Sequence, residues 1–251
     1  IHYTIPKHIE VISLSAKPMH GIIEVLKMPF YAWKLSRIIT KDELVLSFLN
    51  RSNVINIISK LFRTHKSILS ERIATSQEYK SGSKRLMRLL IKYLYPFSDG
   101  ITVNSSGIKE DLVKLFSIEP ELISVIYNAV DKNSLELLSR EQIVNHYQKI
   151  FDHKKVIIHV GRFDKQKNHK GLIQAFYQVQ KNIDDLALVL IGSGPLRESC
   201  EVRVKALGIS DKVFFLGTQK NPMPFLKKAT LCVLPSHYEG FPNIILESFC
   251  M

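Results

Sequence analysis

Four short aliphatic runs dominate the second half of the chain: "KVIIHVG" (155–161), "LALVLIG" (186–192), "KVFFLG" (212–217) and "TLCVLPS" (230–236). None alternates apolar with polar residues, so none suits a sheet with one wet face. Strands of this kind are buried on both faces, which requires a parallel sheet wrapped by helices. The segments between them fit that demand. "NHKGLIQAFYQVQKN" (168–182) sets Leu172, Ile173, Phe176 and Val179 at helical spacing. "LRESCEVRVKALG" (196–208) is a helix closed by glycine, and "MPFLKKA" (223–229) a short one. A last helix is expected to start near Pro242, a residue suited to a first helical position. In such an alternation every turn leaving a strand falls on one sheet edge, where α/β proteins bind ligands.

The first half repeats the pattern more weakly. Strands are expected at 43–49, 66–71, 100–106 and 121–128, and helices at 51–62, 84–97 (stopped by Pro96) and 107–116. The polar stretch 129–154 reads as the connection between two α/β units. With 251 residues, 45% hydrophobic and 23% charged, the chain has material for two such units. No apolar run reaches the ~18 residues needed to cross a bilayer, and "IHYTIPKHIEV" lacks the pattern of an export signal. Cys200, Cys232 and Cys250 are odd in number and not at metal-ligand spacing, which fits reduced thiols in a cytoplasmic protein. The formal charge of +12 favours anionic partners without choosing among nucleic acid, anionic lipid and phosphorylated ligands.

Three turns can carry chemistry. "GRFDKQKNHKG" (161–171) places Gly161, Arg162, Lys165, Lys167 and Lys170 between a strand and a helix N-terminus. Close backbone approach, a guanidinium fork and the helix dipole together suit a diphosphate; an exposed basic loop explains the same residues. "GSGPL" (192–196) lacks the Gly-Lys-Ser/Thr of a P-loop and the full dinucleotide fingerprint, so a tight strand-to-helix turn accounts for it. "HYEGFPNIILE" puts Glu239 on a loop and Glu247 within the following helix, one turn beyond Asn243. Two carboxylates repel phosphates but match vicinal hydroxyls, each accepting two hydrogen bonds side by side. A diphosphate flanked by sugar rings satisfies the whole set, although Glu247 also reads as a solvated helix residue.

On "VGRFDKQKNHKGLIQAF", "LVLIGSGPLRE", "VFFLGTQKNP" and "LPSHYEGFPNIILE", with Glu239 and Glu247 as an E-x7-E motif, the chain resembles the retaining glycosyltransferases of family 4 (glycosyl transferases group 1). "ILSER", "DGITVNSSGIKEDL" and "VIYNAVD" extend the resemblance into the first half. The resemblance implies a GT-B fold: two Rossmann-like parallel α/β domains facing a cleft, with residues 1–131 on the acceptor side and 132–251 binding a nucleotide sugar. It implies that Gly161, Arg162 and Lys167 hold the donor diphosphate, that Glu247 binds the ribose, and that Gly217 and Thr218 lie beside the base. Glu239 would face the transferred sugar, supported by Gly240, Phe241, Pro242 and Asn243. Glu239, Arg162 and Lys167 would be the catalytic residues, and a donor phosphate oxygen would take the acceptor's proton. The activity implied is hexosyl or N-acetylhexosaminyl transfer, from a UDP-sugar in the first instance, to a glycan or lipid-linked acceptor in bacterial cell-surface or lipid-linked glycan synthesis.

No cofactor and no metal is expected: Asp184 and Asp185 are adjacent rather than an Asp-x-Asp pair. The nine histidines are scattered and fit structural or surface roles. Residues 80–97 place Leu86, Leu89, Leu90, Tyr93, Leu94 and Phe97 in one stripe beside Lys84, Arg85, Arg88 and Lys92. Such a helix suits either an anionic membrane surface at the cytoplasmic face or a domain surface with a solvated basic side. The family's opening glycine-rich turn and its segments after the second glutamate are not found, so a chain cut at both ends is expected, with an inactive fragment that only binds as an alternative to a working transferase. An epimerase of nucleotide sugars with the same architecture is the alternative enzyme. A nucleic-acid-binding protein is the non-enzymatic one, disfavoured by the lack of a stacked-aromatic or recognition-helix motif.

Overall fold

A computed structural model describes residues 6–14, 25–74, 85–152 and 155–251. Two compact units divide the chain. The first comprises Ile5–Asn128 together with Glu239–Phe241; the second comprises Ala129–Tyr238 and Pro242–Met251.

In the first unit α1 (Met28–Ile38) precedes β1 (Leu44–Phe48), α2 (Asn50–Ser59), β2 (Lys66–Glu71), α3 (Arg85–Leu94), β3 (Gly100–Val103), α4 (Ser106–Phe116) and β4 (Ile123–Val125). The strands are parallel in the order β1-β2-β3-β4. Right-handed crossovers that always step in one direction put their helices on one face. The core there contains Val54, Leu69, Met87, Ile91, Tyr95, Ile101, Ile108, Leu112 and Phe116. On the other face Leu44, Leu46, Phe48 and Ile126 are exposed and bound a groove of about 270 Å³. A buried hydrogen-bonded chain links α2 to the strands. Tyr95 Oη donates to Glu71 Oε2 (3.0 Å), Asn53 Nδ2 to Tyr95 Oη (3.1 Å), and Ser47 Oγ to Asn53 Oδ1 (2.8 Å). Asn56 Nδ2 then donates to Ser47 Oγ (3.0 Å). Satisfied in this way, buried polar groups lock a unique helix register.

The helix expected over 84–97 ends at Leu94 and passes into a 3-10 turn, Tyr95–Phe97, at Pro96. Its apolar residues do not form one stripe. Met87 and Ile91 enter the core with Leu90 and Leu94 packed beside them, while Leu86, Leu89, Tyr93 and Phe97 face solvent. Residues 80–84 lie outside the described residues.

The second unit begins with α5 (Lys132–Ser139) and α6 (Asn145–Gln148). The stretch read as a connection is therefore partly helical, and its Ile143 and Ile150 are buried in a core cluster. Then follow β5 (Lys155–Val160), α7 (His169–Val179), β6 (Leu186–Ile191), α8 (Arg197–Ala206), β7 (Val213–Gly217), α9 (Met223–Lys228), β8 (Leu231–Cys232) and α10 (Asn243–Phe249). The sheet is parallel in the order β7-β6-β5-β8. All six residues of β6 are buried. Leu186, Leu188 and Leu190 join the cluster of α7 and α8, whereas Ala187, Val189 and Ile191 join that of α9. Each fully buried aliphatic side chain contributes about 1.5–3 kcal/mol, which is why the run has no polar position. Strand order reverses between β5 and β8, and the crevice at such a reversal is where open α/β sheets take ligands. β8 is much shorter than the 230–236 run predicts. Beyond Val233, whose N–H reaches Ile158 O, the backbone leaves the ladder.

Candidate functional site

At the carboxyl edge of the second sheet a cleft of about 340 Å³ is lined by Val160, Gly161 and Arg162 after β5, Ile191, Gly192 and Ser193 after β6, Thr218 and Gln219 after β7, and Pro222, Ile244 and Glu247. Two glycines make it possible. A Cβ on Gly192, at φ 141°, would stand 2.0 Å from Gly161 O. The turns after β5 and β6 therefore touch backbone to backbone. Gly192 N–H also donates to Gly217 O at 2.8 Å, which draws the turn after β7 alongside.

Asp164 organises the basic loop. One carboxylate oxygen accepts the Lys167 N–H (3.1 Å) and the other meets Arg162 Nε (3.4 Å). The terminal guanidinium nitrogens of Arg162 have no protein partner among the described residues, and the side chain is 76% exposed. It can present its planar fork to phosphate oxygens. The half-buried Lys167 side chain runs beside Gly161, its Cδ 3.5 Å from where a Cβ on that glycine would lie. Asn168, in the left-handed region (φ 51°), caps α7 by accepting the Gly171 N–H at 3.2 Å, so the helix's positive end opens next to the loop. Glu247 is half-buried, and burial raises its pKa above the ordinary carboxylate value. Hydroxyl donors would restore the solvation that burial removes.

Of the residues singled out from sequence, Gly161, Arg162, Thr218 and Glu247 thus meet in one cleft, with Lys167 and Gly217 at its border. Pro242 is the N-cap of α10 rather than its first residue, and exposed Asn243 begins the helix one turn from Glu247. Glu239, Gly240 and Phe241 belong to the first unit and do not line that cleft. Asn128 Nδ2 donates to Phe241 O at 3.1 Å, and the Tyr127 and Phe241 rings lie 5.5 Å apart. A Cβ on Gly240 would come 2.2 Å from Arg72 O and 3.1 Å from Asn104 Oδ1, so the residue after Glu239 must be glycine.

The sequence reading missed Gln166, Asn168, His159 and His169, which build the floor and wall of the basic loop. His169 is 2% exposed, stacks on Phe163 (3.9 Å between centroids) and meets His159 edge-on at 4.6 Å. Neither of its ring nitrogens has a hydrogen-bond partner. Burial, with His159 and Lys167 reinforcing it against Asp164, holds its pKa at about 4. Among the described residues no three His, Cys, Asp or Glu side chains gather as a metal site, and no helix is long and apolar enough to cross a membrane.

This two-unit α/β architecture, with a basic loop and a half-buried carboxylate at one sheet edge, is the GT-B glycosyltransferase fold. Residues 5–134 match Glycosyltransferase Family 4 and residues 142–251 match Glycosyl transferases group 1; the chain belongs to this glycosyltransferase family. It is 34% identical over 256 residues to N-acetylgalactosamine-N,N'-diacetylbacillosaminyl-diphospho-undecaprenol 4-alpha-N-acetylgalactosaminyltransferase of Campylobacter jejuni, covering 99% of this chain and 67% of that protein. It is 32% identical over 150 residues to lipopolysaccharide 1,6-galactosyltransferase of Salmonella typhimurium, covering 57% of this chain and 38% of that protein. Among solved structures it is similar to HepE of Anabaena in complex with UDP and glucose, at TM-score 0.73 and 18% identity over 88% of this chain and 60% of that one. The chain thus spans 67% or less of the length of these relatives.

Proposed function

We propose that the protein transfers a hexosyl or N-acetylhexosaminyl group from a UDP-sugar to a hydroxyl of a glycan or lipid-linked acceptor, with retention of the anomeric configuration. The observation that carries this reading is the meeting of Gly161, Arg162, Thr218 and Glu247 in one cleft at the carboxyl edge of the second sheet. Arg162, Lys167 and the N-terminus of α7 hold the diphosphate, and Glu247 accepts hydrogen bonds from the ribose hydroxyls. Gly217 and Thr218 border the base. Glu239 meets the donor sugar, and a phosphate oxygen of the donor accepts the proton of the attacking hydroxyl. As the glycosidic bond to the diphosphate breaks, charge grows on the leaving phosphate. Arg162 and Lys167 stabilise it, the kind of preorganised electrostatics that is usually the largest single contribution to an enzymatic rate enhancement. The C. jejuni and Salmonella relatives are named for lipid-linked glycan and lipopolysaccharide synthesis, and a protein in solution reaches a lipid-linked acceptor only at the membrane surface.

The exposed Leu86, Leu89, Tyr93 and Phe97 beside Arg85, Arg88 and Lys92 support a second element of the proposal, contact between α3 and an anionic membrane at the cytoplasmic face. The enzymatic reading is tested by incubating the protein with labelled UDP-sugars and a lipid-linked acceptor. Transfer of label to the acceptor, lost in Glu247→Ala and Lys167→Ala, is expected. An epimerised nucleotide sugar formed without acceptor would overturn it.

A further inference from the structure

The segment that follows β8 and leads to Glu239 is held by Gln166 and Asn168 of the basic loop and by Ile158 and His159 of β5. A parallel strand normally draws its hydrogen bonds from a neighbouring strand, but β8 stops at Cys232. From there four contacts replace the ladder. His159 Nδ1 donates to Val233 O at 2.8 Å, and Asn168 Nδ2 donates to Pro235 O at 3.2 Å. The His237 N–H donates to Gln166 O at 2.9 Å, and Gln166 Nε2 returns a bond to Tyr238 O at 2.9 Å. Gln166 therefore grips the backbone on both sides of the 237–238 peptide, one residue before Glu239. Asn168 uses its other amide atom to cap α7, so a single side chain fixes the helix start and Pro235 together.

We infer that Gln166 and Asn168 are positioning residues for Glu239: the "QKN" of 166–168 interleaves the lysine proposed for the phosphates with two amides that fix the backbone of 235–238, which leads directly into Glu239. A part-buried amide suits this task. It carries donor and acceptor without charge, so it can bridge two backbone segments next to a diphosphate without competing for it. A carboxylate in place of Gln166 would accept where Tyr238 O also accepts, and would repel the phosphates. Misplacing a reacting group by about 1 Å costs on the order of a hundredfold in rate.

The inference rests on Glu239 meeting the donor sugar, and its test separates the two. Turnover is measured for Gln166→Ala, Glu239→Ala and the double variant, alongside UDP affinity by calorimetry and amide exchange of the peptide 234–241. Gln166→Ala is expected to lower kcat by about tenfold to a hundredfold, to leave UDP affinity within about twofold, and to raise exchange at 236–239. Because Gln166 acts through Glu239, the double variant is expected to be no slower than Glu239→Ala alone. Losses that multiply in the double variant would overturn the inference, as would unchanged amide exchange in Gln166→Ala. If Glu239→Ala keeps full turnover, the role of Glu239 itself fails. In that case raised exchange at 236–239 would still show the clamp, and unchanged exchange would remove it too. Gln166→Glu, which keeps size but loses the donor, should reproduce the alanine phenotype; wild-type kcat in that variant counts against the positioning role.

Discussion

Acid should weaken the second unit through His169, and the size of the effect follows from its surroundings. The imidazole sits at the first turn of α7, packed on Phe163 and edge-on to His159, with both ring nitrogens without partners. Burial first, then the nearby His159 and Lys167, disfavour its charged form more than Asp164 favours it, and its pKa falls from 6.5 to about 4. The folded state therefore binds fewer protons than the unfolded chain between those values. The stability this neutral ring contributes is fully present above pH 6.5, declines as pH falls, and stops changing below about 4. At 1.36 kcal/mol per pKa unit the loss between pH 7.5 and 4.5 is about 2–3 kcal/mol. Denaturant titrations of wild type, His169→Phe and His169→Gln at these two pH values isolate the contribution, since neither variant carries the titrating ring. The wild type should lose about 2–3 kcal/mol more than either variant on acidification. Parallel pH dependence in all three would refute the reasoning, because the ring would then be equally easy to protonate folded and unfolded.

Other consequences are more direct. Gly192→Ala should destabilise the second unit by about 3 kcal/mol or more, since its Cβ meets a backbone carbonyl and its φ is positive; a Tm within about 2 °C of wild type would contradict this. Gly107, within α4 and with nothing in reach of a Cβ, should instead gain about 0.5–1 kcal/mol on substitution by alanine, read from the same melts. Sedimentation with vesicles containing anionic lipid should capture wild type at low salt and release Leu89→Glu/Tyr93→Glu; equal capture of both would remove α3 from the membrane contact.

How far the sequence could be read depended on whether a signal was local. The six residues of β6 admit one environment, buried on both faces, and the alternating assignment of Leu188 and Val189 to opposite cores is what that run implies. Strand β8 was overestimated because apolar character continues to Leu234, while the backbone partners that take over are the distant side chains of Gln166 and Asn168. The stretch 129–154 looked like a polar connection because Ile143 and Ile150, its buried anchors, are separated by only two short helical turns and leave no periodic stripe. In α3 spacing revealed apolar residues but could not say that Leu90 and Leu94 face inward while Leu89 and Tyr93 face out. At the site, Arg162 and Glu247 were recognisable from residue type and position. The buried pair His159 and His169 was not, because two histidines ten residues apart become neighbours only when β5 and α7 fold back on each other.

The central claim is that the cleft of the second unit binds a nucleoside diphosphate, with Arg162 on the phosphates and Glu247 on the ribose. Calorimetric titration of wild type, Arg162→Ala and Glu247→Ala with UDP, and with GDP and ADP for comparison, tests it most directly. Charge-assisted hydrogen bonds contribute about 1.5–3 kcal/mol each, so each variant should bind UDP roughly 10- to 100-fold more weakly than wild type, with UDP preferred over the other two. Absence of binding to any of the three nucleotides, or affinity unchanged in both variants, would contradict the account.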